Sequence, residues 1–157
     1  MVRLTRAGEY AIKAMLYLAQ QSREGLTLIG DVAKSQDVSA GFLAKIFQEL
    51  SRAGLVDSHR GAGGGVSLGM AAEKITLKMI IEAVEGPIAL NNCLLDHGYC
   101  TNREKCAVAE TWRDAQGAML GVLERDSLAE LAARVSAKSV MNSGEDGKEG
   151  ASSGDGD

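Results

Sequence analysis

Three thiols stand close together in the stretch CLLDHGYCTNREKC, as Cys93, Cys100 and Cys106, and the chain has no other cysteine. The spacing is Cys-x6-Cys-x5-Cys, with His97 between the first two. Thiolates are soft ligands that suit zinc and iron–sulfur clusters. Three thiols in a polar, Asn- and Gly-containing loop are poor core material, although a single buried cysteine often is. A redox dithiol of the Cys-x-x-Cys kind is absent. Zinc could use the three thiolates with His97 as fourth ligand, although these spacings are longer than the usual zinc pairs. A looped segment can also wrap the larger body of an iron–sulfur cluster. Chemistry alone leaves zinc and iron–sulfur level, with structural and thiol-redox roles behind them.

Positioning such a loop requires a scaffold. The chain has 157 residues, 45% apolar and only 4% aromatic, so its core must rest on Leu, Ile, Val, Ala and Met. That length allows one domain plus an extension. No apolar run approaches the roughly 20 residues that span a bilayer. The first residues, MVRLTRAGEYAIKAMLYLAQQ, have Glu9 and Lys13 where a signal peptide needs a continuous apolar stretch. These features, and an odd number of cysteines, predict a cytoplasmic protein with reduced thiols and no membrane partner.

Net charge is −4, but it is unevenly spread. Residues 1–70 carry eight basic and six acidic side chains, while residues 71–157 are acidic. A mildly basic first half is compatible with nucleic acid. The last stretch, SAKSVMNSGEDGKEGASSGDGD, offers little to bury and predicts a disordered acidic tail over 136–157.

Residues 5–21 predict a helix capped by Thr5, with Ile12, Met15, Leu16 and Ala19 on its apolar face. Thr27 is the expected cap of a short helix ending at Gln36. Asp37 and Val38 form a turn. Ser39 then caps a third helix, in which Leu43, Ile46, Phe47 and Leu50 repeat at i, i+3, i+4, i+7 and Gly54 ends the run. This is a helix-turn-helix pattern. LVDSHRGAGGGVSLG follows and reads as a two-stranded hairpin around the glycines. The glycines are not a phosphate loop, which would have to open a helix. A helix over 75–84 ends at Glu85-Gly86-Pro87. Past the cysteines, Val108, Trp112, Ala115, Met119 and Val122 form a two-heptad seam, read as a dimer contact on its 3.5-residue period rather than as a face buried in its own domain. Ser127 caps a last short helix.

The expected fold is therefore mainly α. It comprises a winged helix-turn-helix DNA-binding domain over 1–84 with a small β-hairpin wing, and a cysteine-containing loop over 85–106. A long C-terminal dimerisation helix with the short terminal helix fills 107–135. On the third helix Ser39, Gly41, Phe42, Lys45, Gln48, Glu49 and Arg52 face away from the core stripe. Lys45 and Gln48 have the reach for bases or phosphates, and Ser39 can meet a phosphate. Phe42 could touch a thymine methyl or pack at the helix start. Arg60 stands at the wing tip, where a cation can enter a minor groove, and Gly61 beside it lets the turn approach the backbone. Arg6 and His59 are secondary candidates. A two-fold dimer would read a roughly palindromic operator.

Three stretches carry a family resemblance: MVRLTRAGEYAIKAML, LAKIFQELSRAGLVDSHRGAGGGVSL, and the cysteine triplet running into CAVAETWRDA. Over about residues 1–133 the chain resembles the Rrf-type winged-helix iron–sulfur transcriptional regulators, the IscR/NsrR-like group. The resemblance implies a homodimeric regulator that is not an enzyme, with one cluster per subunit on Cys93, Cys100 and Cys106. It also gives the third helix and Arg60 their DNA-reading roles. IscR-like members place a histidine three residues after the third cysteine, where this chain has Ala109. The nitric-oxide-sensing branch uses an acidic residue near the start of the first helix, supplied by the partner, and Glu9 matches it. Glu9 is therefore the expected fourth ligand, with His97 second. That choice favours a 4Fe–4S cluster slightly over 2Fe–2S. As an unliganded residue, Glu9 would be a solvated charge favourable to the helix dipole. The rivals are a zinc-stabilised DNA-binding regulator and a cysteine-thiol redox sensor without a cluster.

Overall fold

Thr5 is in extended conformation, and its hydroxyl accepts the Gly8 amide proton at 3.2 Å. With one orphan donor of the first turn satisfied, α1 runs over Arg6–Gln20. The computed structural model describes residues 4–21, 25–95 and 106–143. Among these follow α2 (Ile29–Ser35), α3 (Ala40–Arg52), β1 (Val56–His59), β2 (Gly65–Leu68), α4 (Leu77–Glu85), α5 (Ala109–Arg125) and α6 (Leu128–Ser143). Short 3-10 turns cover Ala72–Lys74 and Asn92–Leu94. No described helix is long and apolar enough to cross a membrane.

The buried face of α1 is rotated from the expected stripe. Ala11, Ala14, Met15 and Leu18 are buried, while Ile12, Leu16 and Ala19 are only partly covered. Two alanines on one face let neighbouring elements pack close to the α1 backbone, so the small residues take the centre and the larger ones the flanks.

Thr27 does not cap α2. Its amide and carbonyl pair with Val66 at 2.9 and 2.8 Å, adding a short third rung to the hairpin, and α2 begins from Leu28 without a side-chain cap. The turn into α3 places Asp37 at φ 52°, a left-handed position that Asp tolerates. Ser39 accepts the Phe42 amide proton at 3.2 Å and starts α3. Gly54, at φ 73°, ends it. The Gly54 amide donates to Ser51 O and the Leu55 amide to Leu50 O, at 3.0 and 2.9 Å. This Schellman geometry satisfies the last carbonyls and turns the chain straight into the wing.

β1 and β2 pair antiparallel, with Val56 opposite Leu68 and His59 opposite Gly65. The core beneath them joins Met15, Leu43, Phe47, Leu50, Leu55 and Val66 to Ile75, Ile80 and Leu128. Ile75 was expected inside α4, but its carbonyl accepts the Leu128 amide proton at 2.7 Å. The chain stays extended there, and α4 starts two residues later, capped by Thr76.

The last helix is longer than expected. Ser127 and Glu130 form a reciprocal capping box, the Ser127 amide reaching Glu130 Oε2 at 2.8 Å and the Glu130 amide reaching Ser127 Oγ at 3.3 Å. From there α6 continues to Ser143, eight residues into the expected tail. Ala129, Ala132, Ala133 and Ala137 favour helix. Ala132 is buried, and Gln20 on α1 reaches Ser136 at 3.3 Å, so α6 folds back onto the N-terminal half. Asp126 joins α5 to α6. Arg134 and Arg125 both hydrogen-bond its carboxylate and hold it far below the usual carboxylate range.

Candidate nucleic-acid interface and cysteine centre

On α3 the core stripe is fully sunk, with Leu43, Ile46, Phe47 and Leu50 all buried. Ser39, Gly41, Lys45, Gln48 and Arg52 are exposed along the opposite side. A helix carrying polar side chains on the face turned away from its core can enter a major groove. Arg52 is held by Glu49 at 2.7 Å, three residues back. Among the described residues Lys45 and Gln48 have no such partner.

Phe42 takes the second of its expected roles. It is half-buried, and its ring meets Tyr10 of α1 edge to face at 5.7 Å between centroids. The opening turn of α3 is thus packed on α1. Lys13 Nζ lies 4.9 Å and the Arg6 guanidinium 5.9 Å from the Tyr10 ring centre, so two α1 cations share this aromatic pair. Sequence spacing revealed neither Tyr10 nor Lys13, because the contact joins different helices.

The wing is anchored to α3 by a 2.9 Å hydroxyl contact between Ser51 and Ser58. At its tip His59, Arg60 and Gly61 are exposed. Gly61 sits at φ 112°, a conformation that L side chains rarely adopt, and its carbonyl accepts the Gly64 amide proton at 3.0 Å to close the turn. The glycines therefore shape the tip that presents Arg60.

The cysteine centre is described in part. Cys93 lies in the 3-10 turn Asn92–Leu94, and Cys106 just ahead of α5; both are half-buried free thiols. Cys100 and His97 lie outside the described residues. Among those described, no three His, Cys, Asp or Glu side chains cluster as a metal site. The donors still suit an iron–sulfur group chemically: the two described thiols, Cys93 and Cys106, are free, partly accessible and outside the core. Glu9 is exposed in the first turn of α1 and borders a groove of about 600 Å³ with Leu4, Glu85, Pro87, Met119 and Leu123. The α1 start is tied to the end of α4, because Glu85 Oε1 accepts from the Thr5 amide at 2.8 Å and from its hydroxyl at 2.9 Å.

No residue of α5 is buried. In its expected seam Val108 and Val122 are 53% and 58% exposed, and Trp112 is exposed beside them. Ala115 is exposed as well, whereas Met119 is half-buried in the groove with Leu4 and Pro87.

Residues 4–134 match the family Rrf2, described as iron-dependent transcriptional regulator. The HTH-type transcriptional regulator IscR of Aliivibrio salmonicida (strain LFI1238) is 35% identical over 130 residues, covering 83% of this chain and 77% of that protein. The protein of the same name from Escherichia coli O1:K1 / APEC is 36% identical, covering 83% and 80%. Among solved structures, CymR, the global cysteine regulator of B. subtilis, superposes with a TM-score of 0.69 at 32% identity, covering 85% of this chain and 98% of that one. The T. potens IscR structure shares the fold, with a TM-score of 0.64 at 24% identity over 96% of this chain and 94% of that one.

Proposed function

The chain belongs to the Rrf2 family of transcriptional regulators, and on that premise we propose that it acts in the cytoplasm as a homodimer binding roughly palindromic duplex DNA, with an iron–sulfur cluster tuning that binding. The observation that carries the DNA reading is the exposed row of α3 set beside the anchored, Arg60-bearing wing. Gln48 addresses base edges in the major groove and Lys45 a phosphate at its rim, Ser39 and Gly41 leave the start of α3 open to a phosphate, and Arg60 enters the adjacent minor groove. Arg52 and His59 add to the backbone contacts. The exposed Val108, Trp112 and Val122 of the α5 seam support the dimer.

Cys93, Cys100 and Cys106 would hold the cluster, with Glu9 of the other subunit as fourth ligand and His97 as the substitute. Ala109 cannot ligate, and the carboxylate choice favours 4Fe–4S over 2Fe–2S. When bound, such a cluster supplies a centre sensitive to redox state and nitric oxide. Glu9 ligation would tie the first helix of one subunit to the cysteine segment of the other. Because Tyr10, next to Glu9, packs on Phe42, the tie bears on the start of the recognition helix. An absorption spectrum of anaerobically purified protein, with iron and sulfide assayed, tests the cofactor. A band at about 400 nm with matching iron and sulfide supports it. A colourless zinc protein, or a metal-free protein with one rapidly alkylated thiol, would replace it with one of the rival readings.

The DNA contacts predict a salt effect. Each phosphate contact contributes about 0.9 to the slope of log affinity against log salt. Lys45→Ala should therefore flatten that slope by about one per subunit and weaken all duplexes alike. Titrations across a salt series read this directly, and an unchanged slope removes Lys45 from the phosphate contacts.

A further inference from the structure

We propose that Gln116 is the positioning residue of the cysteine centre, holding the segment that ends at Cys93 in register with the helix that begins beside Cys106. The inference rests on the cluster reading above.

Between Gly86 and Asn91 the chain has no helix or strand, yet its backbone is not left to water. Gly86, at φ 79°, turns it out of α4. The Gln116 carboxamide, from α5, then treats residues 88 and 90 as a neighbouring strand would. Its Oε1 accepts the Leu90 amide proton at 2.8 Å, and its Nε2 donates to Ile88 O at 2.7 Å. Glu82 of α4 accepts the Ile88 amide proton at 3.3 Å from the other side. The segment is thus pinned between two helices by side chains.

The pairing is chemically selective. A carboxamide offers a donor and an acceptor in one plane, whereas a carboxylate only accepts and an aliphatic chain does neither. Leu90 stands three residues before Cys93, and Gln116 lies on the helix that follows Cys106, whose carbonyl accepts the Ala109 amide proton at 3.2 Å. One side chain therefore links the two described thiol-bearing segments. Both Gln116 bonds are partly shielded from water. A thiolate site needs its donors at fixed separation, and loss of an outer partner that orients ligands typically lowers metal affinity about 10–100-fold.

The test uses the full chain, reconstituted anaerobically with iron and sulfide. The readouts are the lifetime of the visible band under a chelator, the exchange rate of the Leu90 amide, and the melting temperature of the apo protein. Gln116→Ala should shorten cluster lifetime about 10–100-fold and expose the Leu90 amide, while the apo protein melts within a few degrees of wild type. Gln116→Glu keeps the Leu90 bond and loses the Ile88 bond, so its lifetime should fall between the two. This variant also carries the test if the alanine protein fails to fold. Wild-type protein with a durable cluster, and variants within about twofold of it, would overturn the inference and leave the cluster reading standing. Wild-type protein that takes up no iron would bring down both.

Discussion

Cys106→Ala protein should emerge from anaerobic purification without its visible band and with iron and sulfide reduced to background. The methyl group offers no donor, and a cluster relying on three thiolates from one short segment has no spare among them. Cys106 is half-buried at the entrance to α5 and lies outside the hydrophobic core. The apo variant should therefore melt with the apo wild type, which separates loss of a ligand from loss of fold. Its affinity for operator DNA should equal that of the apo wild type and no longer respond to iron supply. Cys93→Ala should behave the same way. Iron at the wild-type level in either variant would remove that thiol from the ligand set.

The second large effect concerns the recognition helix. Phe47 is 1% exposed and sits among Met15, Leu43, Leu50 and Leu55 in the core cluster. Phe47→Ala removes its contacts and leaves a cavity, at a cost of about 3–5 kcal/mol. Against a typical stability of about 5–15 kcal/mol this is a large share. The apo protein should melt about 10–20 °C lower, with DNA binding lost at temperatures where the wild type is folded. Lys45→Ala on the opposite face should move stability by no more than about 0.5 kcal/mol. Calorimetry on the two apo variants checks both values. A Phe47→Ala protein melting like Lys45→Ala would contradict the placement of the α3 core stripe.

What could be read in advance follows from how local each cause is. Thr5, Ser39 and Gly54 act within four residues of themselves, so the limits of α1 and α3 were visible as caps and a stop. The hairpin was visible because the glycines of its tip separate two strand-like stretches. Thr27 and Ile75 were misplaced for the opposite reason. Their backbone partners, Val66 and Leu128, lie far away in the chain, and those pairings override a local helix signal. The extent of α6 was missed because a polar, acidic composition over 136–157 masked the alanine-rich helix leading into it.

The site divides in the same way. The exposed row on α3 and the wing tip followed from helix and turn periodicity, and the structure leaves those side chains outside the core. The ring contact between Tyr10 and Phe42 and the Gln116 clamp join elements distant in sequence, so no spacing rule announces them. Cys93 and Cys106 drew attention through their chemistry, and the structure leaves both outside the core. The cross-subunit role proposed for Glu9 rests only on family resemblance, because an acidic residue in a helix's first turn has a sufficient explanation in the helix dipole.

The most direct test of the central claim is the affinity of holo and apo protein for the same operator duplex, measured anaerobically at one fixed salt concentration. If the cluster tunes DNA binding, the two affinities differ, and Cys106→Ala matches the apo value whichever way the change runs. Equal affinities on every operator tried would contradict the claim and leave a DNA-binding protein whose cysteines serve another purpose.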